Sequence, residues 1–222
     1  MSYQGKPGPI MTGNFLKPQG QRFLHSQTRH FFKQEDLPRL KALIGPLEPG
    51  RVVRSPDYYD NREETPVPGL AEHPELRQSQ VFFIEPSEES KWLYELLTDV
   101  IGYHNERFYN FNLTGIETMQ FSEYPEGAGF YAPHQDWGAG LVQGRSDICR
   151  KLSFTVQLSN PDSYEGGDLN IHCGDINPLD PSLLREFGSI TVFPSFMVHE
   201  VTPVTRGTRR SLVGWVVGPD FI

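Results

Sequence analysis

The sequence predicts a mainly β domain with flanking helices, a sandwich or barrel of the jelly-roll kind, on three observations. From about residue 110 onward nearly every segment reads as a short strand bounded by turns. The 21 glycines and 19 prolines among 222 residues supply those turns. One amphipathic helix precedes the strands, and short strands at such spacing close into a sandwich or barrel with the helix outside.

In chain order, residues 1 to about 30 are rich in Gly, Pro and Gln, as in an arm or strap. HFFKQEDLPRLKALIG places Phe32, Leu37, Leu40, Leu43 and Ile44 at helical spacing, and Gly45-Pro46 ends it. RSPDYYDNREETPVPG is acidic and turn-prone, a long loop whose Tyr58 and Tyr59 either pack on the body or face a substrate. QVFFIE, bounded by Pro86, is a strand. SEESKWLYELLTDVIGYHNERF is a helix over 87–108 with Ser87 as N-cap, and Trp92, Leu93, Leu96, Leu97, Val100 and Ile101 form its apolar face. The strands that follow are GIETMQFSEY, GFYAPHQD, KLSFTVQLSN, GDLNIHC, GSITVFPS, MVHEVTPV and RRSLVGWVVG. Gly166-Gly167 predicts a tight hairpin, and Arg206-Gly207 a second one. The expected division is an extension over 1–76, with one helix and a loop, and a β domain over 77–222 supported by helix 87–108.

A net charge of −8 argues against nucleic acid or an anionic membrane as partner, since both need phosphate neutralisation by Lys and Arg. Two cysteines, Cys149 and Cys173, are too few for a disulfide framework or a thiolate zinc site. The first residues have no apolar core of a signal peptide, and no stretch is long enough to span a bilayer. The expectation is a soluble cytoplasmic protein; nothing here sets an oligomeric state.

The chemistry concentrates at FYAPHQDWG. On a strand, residues i and i+2 share a face, so His134 and Asp136 project together, an imidazole and a carboxylate suited to a borderline divalent metal. That pair alone is weak and needs a third ligand. His25, His30, His73, His104 and His172 read as surface or packing residues. His199 differs because HEVTPVTRGTRRSLVGWVV follows it. If the segment is a hairpin turning near 206, Arg209 lies five residues along from His199, about 16 Å at ~3.3 Å per residue. With side-chain reach from both ends, that leaves room for a small dicarboxylate. Ser211 faces the same way and offers a hydroxyl. Two histidines and one carboxylate are the donor set of non-haem Fe(II) oxygenases, and an arginine is the fitting partner for a carboxylate. Zinc hydrolases use the same donors but do not need the arginine.

EYPEGAGFYAPHQD, KLSFTVQLSNPDSYEGGDLNI and GSITVFPSFMVHEVTPVTRGTRRSLVGW together resemble the 2-oxoglutarate- and Fe(II)-dependent dioxygenases, in the prolyl/lysyl protein hydroxylase branch. The resemblance implies a double-stranded β-helix (jelly roll), with His134, Asp136 and His199 as iron ligands. It implies Arg209 on the C5 carboxylate of 2-oxoglutarate, helped by Tyr124 and, more weakly, Ser211. Tyr131 matches an active-site position and Trp137 would line the entrance, though either could be core or rim. It also implies Fe(II), 2-oxoglutarate as co-substrate, O2 and L-ascorbate, and hydroxylation of an amino-acid residue, foremost prolyl, in a protein or peptide. A free amino acid or other small molecule as substrate, or a metal-binding β-barrel without oxygenase activity, are the alternatives. The glycine-rich loop Gly138 to Cys149 is either a lid or a connector.

Overall fold

The computed structural model describes residues 25–50, 52–54, 71–72, 74–137, 148–172 and 181–220. The chain enters through β1 (Ser26–Thr28), α1 (Leu37–Lys41), β2 (Glu48–Pro49), β3 (Val53–Arg54) and β4 (Ala71–Glu72). It continues through β5 (Arg77–Gln78), β6 (Gln80–Ile84), α2 (Lys91–His104), β7 (Gly115–Ile116), β8 (Met119–Pro125) and β9 (Phe130–His134). The last third comprises β10 (Ile148–Gln157), β11 (Tyr164–Gly166), β12 (Leu169–Ile171), α3 (Pro181–Arg185), β13 (Ile190–Pro194), β14 (His199–Val201) and β15 (Val204–Pro219). The YYDNREE loop, His73, Cys173 and residues 138–147 of the glycine-rich loop lie outside the described residues.

A major sheet runs β1-β13-β10-β15-β8-β6-β2, and a minor sheet runs β12-β14-β9-β5. All their pairings are antiparallel. This is the mainly β, two-sheet jelly roll with flanking helices that the sequence predicts.

Strand alternation explains why the major sheet has two unlike faces. Leu152, Phe154 and Val156 of β10, Leu212 and Val216 of β15, and Met119 and Phe121 of β8 join one buried apolar cluster. From α2, Leu93, Leu97 and Ile101 enter the same cluster at spacings of one helical turn. Each such fully buried leucine holds the layers together by ~2–5 kcal/mol against truncation to alanine. The alternate residues, Ser153 and Thr155, Arg209 and Ser211, Gln120 and Tyr124, line a cavity. Its remaining lining includes Arg77, Tyr131, His134, Leu169, His199 and Val201 of the minor sheet, so the cavity lies between the two sheets.

The segment before residue 77 shares this core: Phe32 and Leu40 are buried in the main apolar cluster, and β1 and β2 pair with β13 and β6. His104, read as an ordinary helix-tail residue, is fully buried; Ser26 Oγ bonds its Nδ1 (2.5 Å) and Thr28 Oγ1 its Nε2 (2.8 Å). Burial pushes its imidazole down to a pKa of about 4.

Both helices are shorter than predicted. Pro38, which lacks an N–H, sits in the first turn of α1 behind a short 3-10 turn at Gln34–Asp36. The N-cap of α2 is Ser90 rather than Ser87. Ser87 and Ser90 each bond the other's backbone N–H through Oγ (3.2 and 2.9 Å), which closes a turn before the helix starts. Past α2 the chain winds through a π-helical turn, Asn105–Tyr109, that ends at Asn110 with φ 55°.

Neither predicted hairpin forms. Gly166 and Gly167 do take left-handed φ values (67° and 61°), but β11 pairs with β15 and β12 with β14, so the two glycines turn a corner between sheets. Nor do β14 and β15 pair with each other. β14 pairs with β9 and β12, the chain changes sheet at Thr202-Pro203, and Arg206-Gly207 lies inside β15. Gly207 (φ 71°) sits where a Cβ would collide with the carbonyl of Ser163, so its glycine serves close strand approach rather than a turn.

Candidate active site

Pairing of β9 with β14 places His134 directly opposite His199, their ring centroids 4.2 Å apart. β9 ends at His134, so Asp136 joins them through a turn and not through the strand pleat anticipated from its spacing. The backbone N–H groups of Asp136 and Trp137 both donate to the carbonyl of Ser195, at 3.0 and 2.9 Å, and fix that turn. His134 Nε2 lies 3.8 Å from Asp136 Oδ1, and His199 Nε2 lies 3.4 Å from Asp136 Oδ2. The three donor atoms fall within 4.8 Å of one another.

Each histidine is held by its other nitrogen. His134 Nδ1 bonds the carbonyl of Ala132 (2.8 Å) and His199 Nδ1 that of Met197 (3.0 Å). A carbonyl only accepts, so both Nδ1 atoms carry a proton and donate, and both Nε2 atoms face Asp136. Burial, with His199 alongside, pushes His134 down to a pKa of about 4, so it is neutral at pH 7. Burial alone would raise the Asp136 carboxyl. His199, His134 and the hydroxyl of Ser153 (2.7 Å) outweigh it and hold the group below the usual carboxylate range. Two imidazoles and a carboxylate, each oriented from behind, fit a borderline divalent cation.

Arg209 is 3% exposed and lies on β15 opposite Tyr124 of β8, its Cζ 5.4 Å from the Tyr124 ring centre. Its Nη1 is 3.4 Å from Ser211 Oγ, and Arg209, Tyr124 and Ser211 all line the cavity of about 200 Å³ that holds the three donors. At Gly167 a Cβ would approach the Arg209 stem to 3.1 Å, so the glycine corner leaves room for this side chain. Arg209 makes no ion pair with a carboxylate among the described residues. Arg210 faces the other way and pairs with Glu123 (2.7 Å); Arg206 pairs with Glu165 at the surface (2.8 Å).

Tyr131 lies in the wall, stacked on His134 with ring centroids 3.5 Å apart, and burial raises its phenol to about 12. Trp137 is 45% exposed and stands outside the lining. His172, 47% exposed, pairs with Glu200 away from the site.

Several lining residues escaped sequence reasoning. Ser153 and Thr155 were signalled only by the alternation of polar and apolar residues along KLSFTVQ, which is buried on both faces. Arg150 is bound to Glu117 (2.7 Å) and stacked on Trp215 (4.0 Å). Arg77 entered through β5, which no sequence signal marked. Among the described residues Asp136 is the single carboxylate in the wall, against Arg77, Arg150 and Arg209, which makes this lining electropositive in an acidic protein.

Residues 119–217, which hold His134, Asp136, His199 and Arg209, match the family model of the 2OG-Fe(II) oxygenase superfamily. The match spans just under half of the chain, and this stretch is similar to the domain of that superfamily. This domain is also similar to PKHD-type hydroxylases. The protein from Crocosphaera subtropica is 40% identical over 104 residues, 46% of this chain and 43% of that protein. The one from Parvibaculum lavamentivorans is 41% identical over 96 residues, 43% and 39% of the two chains. The match therefore spans less than half the length of these curated relatives. Among solved structures, the fold here is similar to that of a Pseudomonas putida prolyl-4-hydroxylase (TM-score 0.58, 24% identity, 86% of this chain and 91% of that one). It is likewise similar to a Trichoplax adhaerens prolyl hydroxylase solved with a hypoxia inducible factor peptide fragment (TM-score 0.62, 18% identity, 87% and 83%). At these identities the likeness is one of fold.

Proposed function

We propose that this protein is a 2-oxoglutarate- and Fe(II)-dependent dioxygenase that hydroxylates an amino-acid residue, foremost prolyl, in a protein or peptide. The observation that carries it is one cavity holding the two-histidine, one-carboxylate cluster together with a buried arginine that has no acidic partner among the described residues. Zinc hydrolysis would use the same three donors and leave Arg209 without a task.

In this reading His134, Asp136 and His199 hold Fe(II). The chemistry such a centre supplies is oxidative decarboxylation of 2-oxoglutarate by O2 to succinate and CO2, coupled to hydroxylation of a C–H bond. The chain's own contribution is placement. Arg209 binds the C5 carboxylate of 2-oxoglutarate through its paired donors, and the hydroxyls of Tyr124 and Ser211 donate to the same group. The Nδ1–H bonds of both histidines fix their rings, and Ser153 fixes the carboxylate. Tyr131, in the wall, is assigned to the substrate side and Trp137, outside the lining, to the entrance. Phe154, Leu169, Phe193, Val201 and Val213 give the wall an apolar part that limits water. The naming of the PKHD-type relatives as hydroxylases and of the structural neighbours as prolyl hydroxylases supports the reaction class and the prolyl target. Ascorbate as reductant, a cytoplasmic setting, and partners that are neither nucleic acid nor membrane complete the proposal. No helix of the described residues is long and apolar enough to cross a membrane.

The test is succinate release under air with Fe(II), ascorbate and 2-oxoglutarate, with and without a pool of proline- and lysine-containing peptides. Release that a chelator removes and peptides stimulate is the expected result. Iron-loaded protein that forms no succinate in either condition would leave a metal-binding β-barrel with a different chemistry.

A further inference from the structure

A second buried arginine faces the cavity, and nothing so far gives it a task. Arg77 lies on β5 directly opposite Tyr131 of β9, is 8% exposed, and lines the same space as the candidate metal ligands. Its guanidinium is clamped on several sides. Nε donates to Ser79 Oγ at 2.7 Å. Cζ stands 4.7 Å from the centre of the Tyr131 ring, which itself stacks on His134. The backbone of Gly50 closes a further side, where a Cβ would come within 2.8 Å of Nε and collide with Ser79 Oγ. With this orientation fixed, Nη2 is buried from solvent and has no hydrogen-bond partner. Arg77 also makes no ion pair with a carboxylate among the described residues.

A buried charged donor left without an acceptor is costly, and a ligand or an ordered water meets that need. A desolvated cation is compensated by an anion far better than by a neutral dipole. The planar fork of arginine matches one anion in particular, the carboxylate. The two free arginines belong to opposite sheets, Arg209 to the major and Arg77 to the minor, with the metal-ligand cluster in the same cavity. Arg209 has been given the distal end of 2-oxoglutarate. One carboxylate acceptor remains to be supplied at Arg77.

We propose that Arg77 is a substrate-binding residue whose Nη2 donates to a carboxylate of the molecule being hydroxylated, which makes this a site for carboxylate-bearing substrates. That carboxylate is the α-carboxylate of a free amino acid or an acidic side chain beside the target residue of a peptide. This inference rests on the dioxygenase reading above and narrows its substrate class.

The test uses full-length protein loaded with Fe(II) and 2-oxoglutarate without oxygen, and reads its melting temperature with three probes. L-proline carries an α-carboxylate. N-acetyl-prolyl-glutamic acid α-amide carries only a side-chain carboxylate. N-acetyl-prolinamide carries none. The expected result is a rise with at least one carboxylate probe, no rise with the amide, and loss of that difference in Arg77→Met. A response to L-proline alone identifies a free amino acid as the substrate type; a response to the glutamate-containing probe identifies a peptide. An equal response to the amide overturns the proposal. So does the absence of a response to either carboxylate probe from protein that 2-oxoglutarate itself stabilises. The comparison of probes on the wild type decides the matter even if Arg77→Met does not fold. Succinate release in air separates the two levels. A wild type that forms none sinks the dioxygenase reading, whereas succinate without a carboxylate preference sinks this inference alone.

Discussion

Ser153 donates to Asp136 from the major sheet, while the two histidines approach from the minor one, so the cluster depends on a hydrogen bond across the cavity. Ser153→Ala is expected to weaken metal binding by roughly 10–100-fold, the usual cost of removing a group that orients a ligand. Titration of the apoprotein with Mn(II) measures it, and unchanged affinity would make the bond incidental. Arg209→Ala is expected to raise the 2-oxoglutarate concentration needed for half-maximal succinate release by roughly 10–100-fold, as charge-assisted bonds contribute ~1.5–3 kcal/mol. An unchanged requirement would move the role to another cavity arginine. The gathering of His134, Asp136, His199 and Arg209 in one cavity was legible through the motifs around them, which resemble a known family, although Asp136 lies past the end of β9 and Arg209 on the opposite sheet. Arg77 and Ser153 were not, since an arginine before a strand and a serine within one are ordinary until burial and a missing or specific partner single them out.

At the scale of elements, the strands were read well and their partners poorly. Alternation along β8, β10 and β15 gives an apolar face and a polar face, and neighbouring register keeps like faces together: Thr155 lies opposite Val213, and Val213 opposite Gln120. Pairing is a long-range property, and a glycine turn looks the same whether the chain folds back on its neighbour or crosses to another sheet. The two predicted hairpins failed for that reason, although His199 and Arg209 still meet in one cavity. The buried His104 ties β1 to the end of α2. Its imidazole takes a proton near pH 6.5 when unfolded but only near 4 when folded. The stability this gives is present above pH 6.5 and is lost as the pH falls toward 4. Up to ~3 kcal/mol belongs to it at ~1.4 kcal/mol per pH unit. His104→Gln lowers stability at pH 7 but flattens the decline between pH 6.5 and 4, as urea midpoints across that range would record. An unchanged slope would assign the acid loss to other groups.

For the whole molecule, an overall charge of −8 goes with a cavity whose wall carries three arginines and one carboxylate among the described residues. Surface and interior thus favour opposite ligands, and only the interior speaks to the chemistry. Metal and co-substrate bind the folded state, so each at a hundredfold excess over its Kd adds ~2.7 kcal/mol. For a chain of this size that is roughly 5–10 °C in melting temperature. A chelator is expected to remove the gain from both, because the proposed function gives 2-oxoglutarate its second anchor on the metal; a 2-oxoglutarate effect that survives chelation would place its binding on the arginines alone. The crossing at Thr202-Pro203 gives this arrangement a further meaning. His199 and Arg209 belong to one unbroken run of chain, yet stand on sheets that face each other, so the width between the sheets acts as a gauge for whatever spans them. Under the proposed function, a 2-oxoacid one carbon shorter or longer would touch only one end of the gauge at a time, and co-substrate choice would be set by sheet spacing rather than by any single contact.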